Sequence, residues 1–165
     1  ALSDSEVAFG LIRAKNANVK TIVLEPGGNI TKILQDLKAD FICLTGWKQI
    51  IPISLILTFP NKILNVHPGL IPDTQDSIVK NPDGTDALWN KGKFTDKAIQ
   101  NFLDSSATYA GSTVHFLSEE FDFGPVLERT FEKVQLGDSV ESLYKRLKVK
   151  ENEAYVKALE ELCNE

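Results

Sequence analysis

A chain of 165 residues, 42% of them hydrophobic, suits a single domain with a sizeable buried core. Its 18 Lys and Arg against 23 Asp and Glu give a formal charge of -5, which argues against a nucleic-acid partner, since a phosphate-tracking surface needs clustered positive charge. No apolar run approaches the roughly 20 residues of a membrane span, and no basic-then-apolar leader opens the chain, so the expected setting is cytoplasmic and away from membranes. Cys43, inside an apolar run, and Cys163, near the tail, read as small core or surface thiols and not as a disulfide framework. Asn29-Ile30-Thr31 is a glycosylation sequon by pattern, of little weight without a leader.

In chain order, a helix is expected to start at once, with Asp4 or Ser5 as cap and Val7, Ala8, Leu11 and Ala14 on one face. Residues 20–25 read as a strand, Pro26-Gly27-Gly28 as a turn, residues 30–38 as a helix, and residues 40–45 as a buried strand from their continuous apolar run. Residues 52–59 are predicted helical and 62–66 a strand. Residues 85–91 and 96–104 are predicted as short helices, 110–117 and 126–134 as strands, and a last helix begins at Ser139, capped by Asp138 or Ser139. Strands alternating with helices imply an α/β protein with a largely parallel sheet covered on both faces.

Two stretches stand out. Residues 65–72 read Asn-Val-His-Pro-Gly-Leu-Ile-Pro: an amide and an imidazole two positions apart at the end of an apolar strand, then two prolines. Alternation puts Asn65 and His67 on one strand face. Pro68 biases His67 toward extended geometry and fixes where the strand leaves the sheet, the kind of strand end at which an open α/β sheet carries chemistry. Residues 111–127 read Gly-Ser-Thr-Val-His-Phe-Leu-Ser-Glu-Glu-Phe-Asp-Phe-Gly-Pro-Val-Leu: a strand, a carboxylate-bearing loop and a second strand. By themselves these residues leave alternatives open. His67 at a strand end can simply cap a carbonyl. Asp122 before Phe-Gly-Pro suits a plain turn. A protein-kinase reading of Asp122-Phe123-Gly124 is discarded, because neither a His-Arg-Asp loop nor a Gly-rich phosphate loop accompanies it.

Together the stretches resemble the phosphoribosylglycinamide formyltransferase family of folate-dependent enzymes in purine synthesis, whose pattern is Asn-x-His-Pro-Ser-Leu-Leu-Pro followed by Gly-x-x-Val-His-Phe-Val-x-Glu-Glu-x-Asp-x-Gly-Pro. The resemblance runs from the first residues to about Tyr155. It implies a Rossmann-like, mostly parallel sheet with helices on both faces, and transfer of a formyl group from 10-formyltetrahydrofolate, as co-substrate, to the amine of glycinamide ribonucleotide, without a metal. It further implies that Asn65, His67 and Asp122 form the catalytic set: amide and imidazole polarise the formyl oxygen, and the carboxylate works with the imidazole in proton transfer. That suits a tetrahedral oxyanion, which needs donors aimed at the developing charge and a group that moves a proton.

The same resemblance assigns the pterin wall to the loop Trp47, Lys48, Gln49, Ile50 and Ile51, with further folate contacts from Ile63 and the backbone of Glu119, Glu120 and Phe121. A core tryptophan is the plain alternative for Trp47. On the last helix, Val140, Leu143, Leu147, Ala154, Ala158 and Leu162 form an apolar stripe that also takes in Glu151, and a carboxylate on a core-facing seam needs a partner. The family uses a glutamate here for the ribose hydroxyls, and Lys148 stands one turn earlier, near the phosphate. A bent helix with Glu151 solvated is the alternative. His115 reads either as a support residue beside the substrate or as a satisfied core histidine.

Departures from the pattern are also legible. The family's opening strand and Gly-Ser-Gly-Ser-Asn phosphate loop are not matched, so the expectation is one formyltransferase domain over 1–165, truncated at its N-terminus. Gly69 replaces the motif's serine and Gln49 an arginine, and residues 73–110 lack a Pro-Gly-Leu-His-like loop, an insertion that at the mouth of a site would serve as a lid. Partners are expected to be small molecules, with the chain a monomer or homodimer. The weighed alternatives are a formyltetrahydrofolate hydrolase, a methionyl-tRNA formyltransferase, disfavoured by the acidic balance, and a non-catalytic folate-binding remnant.

Overall fold

The computed structural model describes residues 1–164, in two compact units, Ala1–Ala39 and a second that begins at Asp40. The first unit holds β1 (Leu2–Ser3), α1 (Phe9–Asn16), β2 (Ile22–Val23) and α2 (Ile30–Asp36), with β1 and β2 paired in parallel, Leu2 opposite Ile22. The helix expected from residue 4 starts instead at Phe9, and Val7 is exposed. Leu2 and Ser3 are drawn into pairing with β2, and the Ser3 hydroxyl accepts the Ser5 N–H at 3.1 Å, a local bond that competes with helix formation. Asn29 of the sequon caps α2, its side chain accepting the Lys32 N–H at 3.0 Å.

The second unit contains β3 (Ile42–Cys43), α3 (Ile53–Thr58), β4 (Ile63–His67), α4 (Thr95–Asp104), β5 (Tyr109–Phe116), β6 (Val126–Lys133) and α5 (Val140–Asn164). Its sheet has the order β3-β4-β5-β6. β3 joins β4 in parallel, while β4, β5 and β6 pair antiparallel. The parallel pairings are thus β1 with β2 and β3 with β4; the antiparallel ones are β4 with β5, and β5 with β6, the two strands joined by the second motif. Residues 40–45, read as a buried strand, reduce to a two-residue edge strand with Cys43 exposed, because only β4 lies beside it in this sheet. Both cysteines are free.

The helix expected over residues 85–91 does not form. Asn81 and Thr85 close a turn at Asp83-Gly84, with the Asn81 N–H on the Thr85 carbonyl at 2.8 Å and the Asp83 carboxylate accepting from the Thr85 N–H. The returning chain stays extended: Ala87 N–H donates to Val79 O at 2.9 Å, and Leu88 O accepts from Leu70 N–H at 2.9 Å. Turn chemistry and tertiary pairing outweigh a weak helical propensity.

The core lies between the helices and the long strands. Ile99 and Phe102 of α4, Ala110 of β5, and Leu143 and Leu147 of α5 form one buried cluster; Val114, Ala154 and Ala158 form another. Each fully buried Leu, Ile or Phe stabilises the fold by about 1.5–3 kcal/mol. Leu143, Leu147, Ala154 and Ala158 of the α5 stripe are buried with Glu151 among them, while Val140 and Leu162 at its ends are half-buried. Arg146 fastens α5 to the β6 end through Glu132 at 2.8 Å and Asp138 at 2.7 Å, and the guanidinium holds the Asp138 carboxyl well below the usual carboxylate range. Among the described residues no helix is long and apolar enough to cross a membrane.

Candidate active site

The site grows from the β4–β5 pairing. Asn65 stands opposite His115 and His67 opposite Thr113, so these four share one face of the sheet, while Ser112 and Val114 turn to the face packed on α5. The imidazoles of His67 and His115 meet edge to face, 6.4 Å between centroids. Thr113 fixes the exit of β4: its hydroxyl donates to Gly69 O at 2.7 Å and accepts the Ile71 N–H at 3.0 Å.

His67 is 2% exposed and both ring nitrogens face acceptors. Nδ1 lies 3.5 Å from Oδ1 of Asp122, and Nε2–H donates to the carbonyl of Trp89 at 2.6 Å. The carbonyl-capping geometry expected of a strand-end histidine is therefore present, together with a carboxylate neighbour. Asp122 has a left-handed backbone, φ 50°, a conformation that Asp tolerates better than most residues. Its Oδ2 accepts the Gly92 N–H at 2.7 Å, and its carbonyl accepts the Trp89 indole N–H at 2.9 Å. Burial pushes the Asp122 carboxyl up, but the neighbouring His67 and the Gly92 N–H outweigh that and hold it below the ordinary carboxylate value.

His115 is fully buried. Its Nδ1–H donates to Phe116 O at 3.0 Å, and Nε2 has no protein partner. Burial, reinforced by the neighbouring His67, lowers its pKa to about 4, so the ring is neutral at pH 7.

Glu151 is 3% exposed and satisfied, accepting from the Ser112 hydroxyl at 2.6 Å and from Lys148 Nζ at 3.1 Å. It is not solvated on a bent helix. Through Ser112 it lies on the α5 face of β5, opposite the face that carries His67 and His115. In the loop 46–51, Lys48, Gln49 and Ile50 are exposed, Ile50 by 85%; Trp47 and Ile51 are half-buried, and the Trp47 indole N–H is buried without a partner. Ile63 is a core residue of β4. Glu119, Glu120 and Phe121 are exposed, and Glu120 accepts from Lys91 Nζ at 2.8 Å. Among the described residues no group of three or more His, Cys, Asp or Glu is placed to hold a metal ion.

The sequence reading missed residues 89–92. Trp89 and Gly92 hold His67 and Asp122 from a segment expected to be a helix and a surface insertion. The signal in the sequence is Asn90-Lys91-Gly92, a turn tripeptide at the end of the expected helix.

A sequence profile described as formyl transferase matches residues 6–159. The chain belongs to the formyl transferase family. Among similar proteins, the chloroplastic phosphoribosylglycinamide formyltransferase of Arabidopsis thaliana is 33% identical over 136 residues, 82% of this chain and 42% of that protein. Its counterpart from Vigna unguiculata is 30% identical over 92% of this chain and 47% of its own length, so the chain spans less than half of these two curated relatives. In solved structures, the phosphoribosylglycinamide formyltransferase of Anaplasma phagocytophilum superposes with a TM-score of 0.77 at 26% identity, covering 96% of this chain and 70% of that one. Glycinamide ribonucleotide transformylase 1 of Symbiobacterium toebii gives 0.77 at 29%, covering 95% and 69%. The fold of this formyl transferase chain is that of these enzymes.

Proposed function

We propose that the chain is a single formyltransferase domain that moves a formyl group from 10-formyltetrahydrofolate to the amine of glycinamide ribonucleotide, a step of purine biosynthesis carried out in the cytoplasm. The observation that carries this reading is an imidazole and a carboxylate 3.5 Å apart at the end of β4, with Asn65 two residues earlier on the same strand face.

In this reading the amine nitrogen attacks the formyl carbon, a C–N bond forms and the carbonyl becomes an oxyanion. The Asn65 amide donates to that oxygen, where a fixed donor does most for the transition state. Collapse breaks the bond to the folate nitrogen, and the proton lost by the amine passes through His67 and Asp122 to that nitrogen, leaving tetrahydrofolate. Because Nε2 of His67 is engaged by Trp89, the proton that moves is the one on the Nδ1 side, facing Asp122. The resemblance has amide and imidazole sharing the formyl oxygen; in this reading the larger share falls to Asn65, because Nε2 of His67 is engaged by Trp89.

The folate would lie against Trp47, Ile50 and Ile51, with Lys48 and Gln49 at its rim. The unpartnered Trp47 indole N–H and the exposed Ile50 and Phe121 favour that location. Backbone of Glu119, Glu120 and Phe121 would complete it. The ribonucleotide would use Glu151 and Lys148, with His115 as support. Both substrates are small molecules, and a monomer or homodimer suffices.

The test supplies both substrates and follows tetrahydrofolate by absorbance. Product that requires the amine supports transfer. Formate released without amine would make the chain a hydrolase, and folate binding with no turnover would make it a binding remnant.

A further inference from the structure

We infer that the turn at residues 89–92 is a positioning device for the His67–Asp122 pair and that Gly69 is the residue that admits it, an inference resting on the formyltransferase reading only for its kinetic consequence. Three bonds converge from this turn: Trp89 O accepts from His67 Nε2–H at 2.6 Å, the Trp89 indole donates to Asp122 O at 2.9 Å, and Gly92 N–H donates to Asp122 Oδ2 at 2.7 Å. One short turn therefore grips the imidazole, the loop backbone and the carboxylate together.

Room for this turn comes from Gly69. A Cβ there would overlap the Trp89 carbonyl oxygen and stand 3.0 Å from His67 Nε2. The serine that the motif carries at this position is therefore incompatible with Trp89 where it stands. Glycine in the motif and the divergent segment after it are two parts of one arrangement, although 20 residues separate them.

The turn is itself anchored. Asn90, buried with φ 58°, donates from Nδ2 to Pro68 O at 3.0 Å and to Ala98 O at 3.3 Å, and its Oδ1 accepts from Asn101 Nδ2 at 2.8 Å. It thus joins the exit of β4 to α4. Gly92 has φ 76°, a left-handed conformation that glycine adopts without strain and that aims its N–H at Asp122. The chemical consequence is a fixed tautomer. A carbonyl can only accept, so His67 carries hydrogen on Nε2, and Nδ1 is the nitrogen left to exchange a proton beside Asp122.

Long-range proton–nitrogen spectra of the full chain test this directly, because its two histidines give only two imidazoles to assign. His67 is expected to show a slowly exchanging proton on Nε2, and His115 the opposite tautomer. Gly69→Ser should lose that slow exchange and reduce kcat about ten- to a hundredfold, the scale of a small misplacement, while KM for both substrates stays within about twofold. Trp89→Phe keeps the carbonyl and should keep the Nε2 proton. A bare Nε2 in the unmodified chain would overturn the inference, as would a Gly69→Ser spectrum and kcat identical to the parent. If Gly69→Ser does not fold, the parent and Trp89→Phe spectra decide. An unmodified chain with no formyl transfer defeats the functional reading alone, and the spectra still decide the positioning.

Discussion

The carbonyl oxygen of Trp89 lies 2.6 Å from Nε2 of His67, a bond across 22 residues of sequence. It leaves His67 one nitrogen for chemistry, and that nitrogen faces Asp122. Mutations on the two sides of the ring are therefore expected to differ in kind.

In the proposed mechanism, removing the imidazole removes the proton carrier. His67→Ala should lower kcat by at least about a hundredfold, as for other general acid–base deletions, while folate affinity measured by titration calorimetry survives. Near-normal turnover would take His67 out of the mechanism.

For Asp122 the charge matters more than the shape. Asp122→Asn keeps the backbone bond from the Trp89 indole and the side-chain volume but loses the anion, so kcat should fall far more than folate affinity. The folded carboxyl is held below its ordinary value, so the unfolded chain binds its proton first as pH falls. Stability from this group is fully present above about pH 4, the unfolded carboxylate value, and is lost on descending through the folded one. Urea melts of parent and variant should therefore differ at pH 7 and converge as the pH falls below the unfolded carboxylate value. A gap that persists at low pH would assign Asp122 a purely conformational role in its left-handed turn.

Glu151 separates substrate contact from helix support. If Glu151 binds the ribose as proposed, Glu151→Gln should raise KM for the ribonucleotide about tenfold and leave KM for the folate unchanged, because only the one substrate touches it. Ser112→Ala removes the buried donor to the same carboxylate and is the structural control. If both variants lower the melting temperature alike and neither moves the ribonucleotide KM, Glu151 serves only to join α5 to β5.

What was legible in the chain follows from where information resides. Asn65, His67 and the 114–116 run announce their register because strand alternation and Pro68 act locally, and the α5 stripe announces Glu151 because helical spacing acts locally. The turn at 89–92 did not announce itself. Its grip on His67 comes from a backbone carbonyl, which no residue type encodes, and its path depends on Leu88 pairing with Leu70. Leu2–Ser3 is too short to show alternation, and the apolar run at 40–45 predicted burial that an edge position in the sheet denies. Gly69 looked like a lost hydroxyl; its meaning lies in the space that a missing Cβ leaves.

His115 offers a prediction that needs no substrate. Its pKa falls from 6.5 to about 4 on folding, through burial and the nearby His67. The unfolded chain thus takes up a proton that the folded chain refuses, and stability must drop as pH falls from about 6.5 toward 4, by up to ~3 kcal/mol at the order-of-magnitude level. His115→Gln removes the titrating group, while its amide can still donate to a carbonyl as Nδ1–H now does to Phe116 O. Its unfolding free energy, measured by urea melts at pH 7 and pH 5, should change less between the two pH values than that of the parent. The variant is expected to be less stable at pH 7, where the ring is neutral and well packed, and to close part of that gap at pH 5. An identical pH dependence in both proteins would mean that His115 ionises as freely in the folded chain as in the unfolded one, and that its burial at the β4–β5 pair is incomplete in solution.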